Sequence, residues 1–336
     1  MIHRRLTEDF VGCHSIGRVV QDGVAFAKGH GTENDFVLLF DPERAVDLTP
    51  SLVRKLCDRR GGLGADGVLR IVLAATDPEG ARMSDQARWF MDYRNADGSV
   101  AEMCGNGVRV FARYLVDSYL EPAGEIAVAT RGGLVRVRLG AIGDVSVEMG
   151  RYALPDVGTV EVSAGDRSWL AYAVSAPNPH AVAFVDDLAH AGPLDVAPEV
   201  RPAGTFPDGV NVEFAVVRGA KHLGMRVYER GVGETRSCGT GACAVAAAAS
   251  ESRAAVGASR DGVDEAGGAT GHTAGTARPS WKAGQLGVST SGAWTVDVPG
   301  GRLVVTIGEG RSMTLTGPAV LVAEGKISID WLLAHR

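Results

Sequence analysis

Two short motifs, one in each half of the chain, share one pattern, and this repeat most constrains the fold. The motif Cys-Gly-Asn-Gly begins at Cys104, and Cys-Gly-Thr-Gly begins at Cys238. Each motif precedes an apolar segment, which extends to Val116 in the first case and to Ala249 in the second. The residues predict two helices that each begin directly after a cysteine. A thiol at that position lies at the positive end of the helix dipole, which favours the thiolate.

The order of features around the two cysteines repeats as well. Asn34 precedes the apolar run 36–40, and Asn178 precedes the apolar run 181–185. A tyrosine followed by a charged, glycine-containing turn stands shortly before each cysteine. This matching order indicates an internal duplication, and it predicts two similar α/β halves.

The composition is that of a globular enzyme. The chain has 336 residues, a net charge of -6 and 6% aromatic residues, which argues against a nucleic-acid partner. No apolar run approaches the length of a membrane span, and residues 1–10 lack the apolar core of a signal peptide. Five cysteines at irregular spacing suggest neither a disulfide framework nor a zinc site. We therefore expect a cytoplasmic protein with no membrane partner, no metal and no cofactor.

Short apolar runs and turn residues give a coarse secondary structure. Thr49 and Pro50 predict a helix from Thr49 to about Arg59, where two glycines follow. A stretch rich in alanine, glycine, serine and threonine predicts an insertion without regular structure over residues 251–284, and residues 1–23 show no clear pattern. The predicted strands are 24–27, 36–40, 68–74, 88–93, 126–128, 134–139, 145–149, 181–185, 294–298 and 303–307.

The two cysteines suit a reaction that inverts a stereocentre. Moving a proton from one face of a carbon to the other needs an acceptor on one side and a donor on the other. Thiols at helix starts supply both forms near neutral pH, and the first-turn N–H groups can bind a carboxylate. The glycine-rich sequence 61–67 looks like a phosphate loop, but no Lys-Ser/Thr follows it.

Six motifs in order resemble those of the diaminopimelate epimerase family, from about Phe26 to Ile327. They begin at Gly31 (Gly-Thr-Glu-Asn-Asp-Phe), Asn95 (Asn-Ala-Asp-Gly-Ser, leading to Cys104), Asn178 (Asn-Pro-His), Val210 (Val-Asn-Val-Glu-Phe), Tyr228 (Tyr-Glu-Arg-Gly-Val-Gly-Glu-Thr) and Cys238 (Cys-Gly-Thr-Gly-Ala-Cys). The sequence departs from part of the family at Gly67, where some members have a glutamine in the site.

The resemblance implies a fold and an activity. The fold is α/β (α+β), with two pseudo-symmetric domains, each a curled, mostly antiparallel sheet around a central helix, and an active site in the cleft between them. We expect the first domain to comprise residues 1–150 and 323–336, and the second 151–322. The implied activity converts LL-2,6-diaminopimelate to the meso isomer without a cofactor, for lysine and peptidoglycan synthesis. Family members are often homodimers.

The resemblance also assigns site residues. Cys104 and Cys238 would be the two catalytic thiols. The substrate would be bound by Asn34, Asn95, Gly105, Asn106, Asn178, His180, Asn211, Glu229, Arg230, Gly239 and Thr240.

Two alternatives stay open. Another cofactor-independent racemase of the same superfamily, such as a proline-racemase-like enzyme, would keep the thiol pair and change the rest of the pocket. A regulatory thiol switch would use the two cysteines as a reversible disulfide. The asparagine set and the Glu229–Arg230 pair favour a substrate with a second amino-acid end.

Overall fold

A computed structural model describes residues 23–258 and 291–335 of the chain. The chain divides into two compact units, Met1–Val147 with Pro318–Arg336, and Glu148–Gly317. The helices are α1 (Pro50–Cys57), α2 (Gly105–Asp117), α3 (Gly239–Ala258) and α4 (Ile329–Leu333), with short 3₁₀ turns at Ala74–Thr76, Ala81–Met83, Leu188–Ala191 and Glu309–Arg311. No helix in this described part of the chain is both long and apolar enough to cross a membrane.

The first unit is a mixed sheet in which antiparallel pairs alternate with two parallel ones. The neighbour order is β18, β1, β2, β3, β4, β5, β6, β7, with β2–β3 and β4–β5 parallel. The strands are β1 (Val24–Gly31), β2 (Asn34–Phe40), β3 (Gly67–Leu73), β4 (Trp89–Asn95), β5 (Gly124–Thr130), β6 (Gly133–Leu139), β7 (Val145–Arg151) and β18 (Val320–Ile327).

Helix α2 is the centre of the first unit. It contacts six of the first strands and the last one, β18, so the sheet curls around it. Every residue from Gly105 to Leu115 is buried, including the guanidinium-bearing Arg109 and Arg113. The shorter helix α1 begins as predicted, because Thr49 Oγ1 accepts the N–H of Leu52 at 3.2 Å and Pro50 occupies the first turn.

The second unit has its own sheet around helix α3. The neighbour order is β8, β9, β10, β12, β13, β15, β16, β17, with β10–β12 and β13–β15 parallel. The strands are β8 (Thr159–Ala164), β9 (Arg167–Ser175), β10 (Pro179–Phe184), β11 (Glu199–Arg201), β12 (Asn211–Gly219), β13 (His222–Glu229), β14 (Gly233–Thr235), β15 (Gly292–Val298), β16 (Gly301–Ile307) and β17 (Ser312–Gly317). The first half of α3 carries small apolar side chains that are fully buried, which lets strands approach it from several sides.

The two units repeat one pairing pattern, strand for strand. Each has antiparallel pairs at both ends, two parallel pairs in the middle, and its central helix between the strands of the second parallel pair. The predicted duplication and the α/β fold with a curled sheet around a helix are confirmed.

The coarse prediction needs three corrections. Helix α3 continues through Ala258, so the insertion does not begin at Glu251; the rest of the predicted insertion, 259–284, lies outside the described residues, as do residues 1–22. The pattern predicted no element in the last part of the chain, where β18 ends at Ile327 and α4 follows. Several strands of the second unit, β8 and β9 among them, were not predicted.

Candidate functional site

Cys104 is the N-cap residue of α2. Its backbone is extended, and its sulfur accepts the N–H of Gly107 at 3.4 Å. The Cys104 carbonyl accepts the N–H of Val108 at 2.8 Å, which starts the helical hydrogen bonds. The thiol is half-buried, so it stays within reach of a ligand while it lies at the helix dipole.

Asn34, at the start of β2, joins Cys104 to the rest of the first unit. Its Oδ1 lies 3.8 Å from Cys104 Sγ and accepts Asn106 Nδ2 at 3.2 Å. Its Nδ2 donates to Asp66 Oδ2 at 2.8 Å. Three residues assigned from the family motifs, Asn34, Cys104 and Asn106, thus lie in one hydrogen-bonded group.

Behind Asn34 lies a cluster of charged side chains that the sequence did not predict. Lys28 Nζ lies 2.6 Å from Asp35, and Arg59 Nη2 lies 2.8 Å from both Asp35 and Asp66. The hydrogen bonds and charges of Arg59 and Lys28 outweigh burial and lower the pKa of Asp35 to about 2. Burial, followed by the charge of Asp35, raises the pKa of Asp66.

Asn95 lies at the end of β4, opposite Gly67 on β3. Its Nδ2 donates to Ser99 Oγ at 3.0 Å, and its N–H donates to the Ser99 carbonyl, so a turn fixes its position. Gly67 is closely packed: a Cβ there would lie 2.6 Å from the Arg94 carbonyl and 2.8 Å from the Tyr93 ring. This backbone therefore excludes the side chain that some family members have at Gly67.

The glycine-rich loop before β3 is not a phosphate loop. The N–H groups of Gly62, Leu63 and Gly64 donate to carbonyls of Asp58 and Leu56, at the end of α1. These donors cap a helix and are not available to an anion.

Cys238 precedes α3 with the same local geometry that Cys104 has before α2. Its sulfur accepts the N–H of Gly241 at 3.3 Å and lies 3.4 Å from Thr240 Oγ1. The Glu229 carboxylate is hydrogen-bonded to the Cys238 thiol and to Thr235. Glu229, Thr240 and Cys238 therefore form a second group, within the second unit.

The environment of Cys238 contradicts the expectation that both helix starts favour thiolate. Burial raises the pKa of Cys238 well above its usual range, and the nearby Glu229 and Glu213 carboxylates raise it further. The hydrogen bonds from Thr240 and Gly241 lower it by less. Cys238 is therefore a thiol at neutral pH. The sequence did not reveal this, because the two carboxylates come from other strands.

His180 is fully buried on β10 and bonded at both ring nitrogens. Its Nδ1 lies 2.7 Å from Glu213 Oε1, and its Nε2 lies 2.9 Å from Asn178 Oδ1. Glu213, on the neighbouring parallel strand β12, is also fully buried. Glu213 lies in the motif Val-Asn-Val-Glu-Phe, but nothing in that motif indicated its contact with His180.

Asn211 and Arg230 form a third contact of the second unit. Asn211 Oδ1 accepts the Arg230 N–H at 2.9 Å, and Arg230 Nη1 donates to the Asp208 carbonyl at 2.6 Å. Arg230 lines one side of an open cavity of about 290 Å³, together with Tyr228 and Phe206.

Comparison with known proteins shows the family of this chain. The family model for diaminopimelate epimerase matches residues 26–155 and 172–274. The chain belongs to the diaminopimelate epimerase family. A diaminopimelate epimerase of Streptomyces coelicolor is 56% identical over 309 residues, which cover 92% of this chain and 97% of that protein. One of Mycobacterium tuberculosis is 46% identical, with 91% and 98% covered.

Solved structures of other enzymes show the same fold as this diaminopimelate epimerase family member. A probable proline racemase from Agrobacterium radiobacter has a TM-score of 0.56 at 16% identity and covers 91% of this chain and 93% of its own. A hydroxyproline epimerase from Agrobacterium vitis has a TM-score of 0.55 at 14% identity, with 91% of both chains covered. At these identities the likeness concerns the fold.

Proposed function

We propose that this protein epimerises LL-2,6-diaminopimelate to the meso isomer, with Cys104 and Cys238 as the acid/base pair at one α-carbon. The observation that carries the proposal is the repeated cap: in each unit, a cysteine at a helix start accepts the N–H of the glycine three residues later. The names of relatives that are 56% and 46% identical over most of the chain support the substrate.

The reaction needs one thiolate and one thiol in each turnover. The thiolate takes the α-proton from one face, and the thiol gives its proton to the opposite face, so that the configuration inverts. Cys238 is held as a thiol by burial and by Glu229 and Glu213. We therefore assign Cys238 as the proton donor and Cys104 as the base for the first direction of turnover. The roles exchange in the reverse direction.

The helix starts stabilise the charge that develops on the substrate. When the α-proton leaves, negative charge moves onto the α-carboxylate, and first-turn N–H groups are suited to bind it. Following the family motifs, we assign this carboxylate to Gly105 and Asn106 of α2 and to Gly239 and Thr240 of α3. No cofactor enters this scheme.

The polar residues around the thiols would recognise the rest of the substrate. Diaminopimelate carries an amino-acid group at each end, so it presents two ammonium and two carboxylate groups. We assign Asn34, Asn95, Asn178, Asn211 and Glu229 to its polar groups, and Arg230 to the distal carboxylate. His180 lines the site from its buried position. We further propose a cytoplasmic enzyme of lysine and peptidoglycan synthesis that acts as a homodimer; the free thiols of Cys57, Cys104, Cys238 and Cys243 are consistent with a reducing compartment.

Turnover in heavy water tests the proposal. LL-diaminopimelate should become the meso isomer and take up deuterium at the α-carbon. Cys104→Ala and Cys238→Ala should each lower kcat/KM for inversion by at least about a hundredfold, because each removes one proton-transfer group. Cys243→Ala is the matched control, since this cysteine lies on α3 and is fully buried.

Three outcomes would contradict the proposal. Activity on proline and none on diaminopimelate would indicate a different racemase of the same fold. Inversion without deuterium uptake would exclude proton transfer through exchangeable thiols. Binding with no turnover, together with a reversible loss of both thiols on oxidation, would favour the thiol switch.

A further inference from the structure

The glycine-rich loop that resembles a phosphate loop ends in Asp66, and this carboxylate lies next to the Cys104 group. We propose that Asp66 is a positioning residue for Cys104: it fixes the Asn34 amide with its oxygen towards the sulfur and so keeps Cys104 a strong base. The inference rests on the proposed function for the role of Cys104, but its geometry stands independently.

Asp66 accepts hydrogen bonds at both oxygens. Its Oδ1 accepts Arg59 Nη2 at 2.8 Å. Its Oδ2 accepts the N–H of Asp35 at 3.1 Å and Asn34 Nδ2 at 2.8 Å. An ionised carboxylate can only accept. Asn34 must therefore turn its NH₂ group towards Asp66.

The other end of the Asn34 amide agrees with this orientation. Its Oδ1 accepts Asn106 Nδ2 at 3.2 Å and is 3.8 Å from Cys104 Sγ. If the amide were reversed, an NH₂ group would face Asn106 Nδ2 and an oxygen would face a carboxylate. Asp66 and Asn106 together hold the amide in one orientation, with an acceptor next to the thiol.

This acceptor opposes the effect of the helix start. The N–H of Gly107 and the helix dipole both favour the Cys104 thiolate. The Asn34 oxygen accepts the S–H and so favours the thiol. A base that removes an α-proton must not be too weakly basic, because its efficiency rises with its pKa until the thiolate becomes scarce. Asp66 thereby tunes Cys104 through Asn34 without touching it.

The charged groups around this hydrogen-bonded chain come from four elements. Lys28 lies on β1 and Asp35 on β2, and Arg59 and Asp66 lie on the loop between α1 and β3. From α2 itself, Arg109 donates to the Gly105 carbonyl at 3.3 Å. The carboxylates and guanidinium groups keep their charges through the alkaline range where a thiol titrates. Replacement of Asp66 by Asn removes the carboxylate that holds the Asn34 amide, so the Asn34 side chain can then reverse its orientation.

The rate of iodoacetamide alkylation at Cys104, followed by peptide mass spectrometry across pH, tests the inference. In Asp66→Asn the Asn34 amide is free to turn its NH₂ group to the sulfur. The midpoint is the pH at which Cys104 is alkylated at half its maximal rate. We expect it to fall by about one pH unit in Asp66→Asn, because one pH unit corresponds to the free energy of about one hydrogen bond. We also expect kcat for epimerisation to fall, while KM changes less. If Asp66 only supported the fold, its replacement would not increase the fraction of Cys104 thiolate while it lowered the activity.

Controls separate this effect from damage to the fold. Asp58 lies in the same loop, and its carboxylate accepts the backbone N–H groups of Arg60 and Gly61. The control variant Asp58→Asn should therefore leave the alkylation midpoint of Cys104 unchanged. Asp66→Glu should restore much of the wild-type midpoint. Should Asp66→Asn fail to fold, Asn34→Ala removes the same oxygen and should lower the midpoint as well.

The alkylation midpoint needs no substrate, so its result is distinct from that of the proposed activity. An unchanged midpoint in both Asp66→Asn and Asn34→Ala would overturn the inference even in an active epimerase. A lowered midpoint in a protein that does not turn over diaminopimelate would support the geometry and refute the activity.

Discussion

The Nδ1 nitrogen of His180 lies 2.7 Å from Oε1 of Glu213, and both side chains are fully buried. The other ring nitrogen, Nε2, lies 2.9 Å from Asn178 Oδ1. Each ring nitrogen therefore has an oxygen atom of a neighbouring side chain within hydrogen-bond distance. In the parallel pairing of β10 with β12, Glu213 is opposite Val182, two residues after His180 on the same strand face. The register of the two strands therefore brings the His180 and Glu213 side chains together.

We predict that Glu213→Gln destabilises the protein by about 2 kcal/mol, because it replaces the carboxylate that binds the buried His180 ring. Urea unfolding measures this change. Glu234→Gln is the control, since Glu234 pairs with Arg226 near the surface and should cost less than about 1 kcal/mol. An equal cost for the two variants would contradict the prediction.

We predict that Gly241→Ala is much more harmful than Gly107→Ala, although both glycines stand three residues after a cysteine. A Cβ at Gly241 would lie 2.8 Å from Glu213 Oε1, which His180 holds in place. A Cβ at Gly107 would lie 3.2 Å from Leu69 Cδ2, the end of a flexible side chain, and 3.4 and 3.6 Å from Cys104 Cβ and Sγ, which is closer to ordinary contact. Alanine is also favoured over glycine in a helix by about 1 kcal/mol. The midpoint temperature of thermal unfolding and kcat/KM should both fall in Gly241→Ala and change little in Gly107→Ala. A larger loss in Gly107→Ala would refute this account.

The sequence predicts those parts of the fold that depend on local pattern. The helix that begins at Pro50 follows from Thr49 and Pro50, and the starts of α2 and α3 follow from the Cys-Gly motifs. Strands β8 and β9 carried a weaker signal. Strand β8 buries only Val160 and Val162, and β9 buries Ala171, Ala173 and Val174 next to exposed polar residues. The turn between them is at Gly165, where φ is 60°.

A site residue could be predicted where it belongs to a sequence motif. It could not be predicted where its role depends on contacts that form only in the folded chain. Cys104, Cys238 and the asparagines follow from the motifs. Asp66 lies in the glycine-rich sequence 61–67 and Glu213 in the motif that begins at Val210. Their roles nevertheless depend on Asn34 and His180, which are distant in sequence. The raised pKa of Cys238 was unpredictable for the same reason, because burial and carboxylates from other strands exceed the effect of the helix start.

We predict that Arg70→Met destabilises the first unit by about 3 kcal/mol. Arg70 is buried, and its guanidinium donates to Asp41 Oδ2 at 2.8 and 2.6 Å and to the Val46 carbonyl at 2.8 Å. Methionine fills the space but leaves the buried Asp41 carboxylate without its cation. Urea unfolding should show the loss. Arg136→Gln, which breaks an exposed pair with Glu125, should change stability by less than about 1 kcal/mol; a similar loss in both would contradict the prediction.

Finally, we predict that Glu229→Gln lowers the pH at which Cys238 reacts with iodoacetamide. The thiol lies beside two carboxylates, and the charge of Glu229 raises the pKa of Cys238 more than that of Glu213 does. Removal of that negative charge makes the thiolate easier to form, so the midpoint moves towards neutral pH. The same change should lower kcat, because a thiol that ionises near neutral pH is less often protonated when it must donate. Glu234→Gln, on the adjacent β14, should leave the Cys238 profile unchanged. If the profile moves to higher pH in Glu229→Gln, then Glu229 stabilises the thiolate, and Cys238 cannot be the residue that begins turnover with its proton.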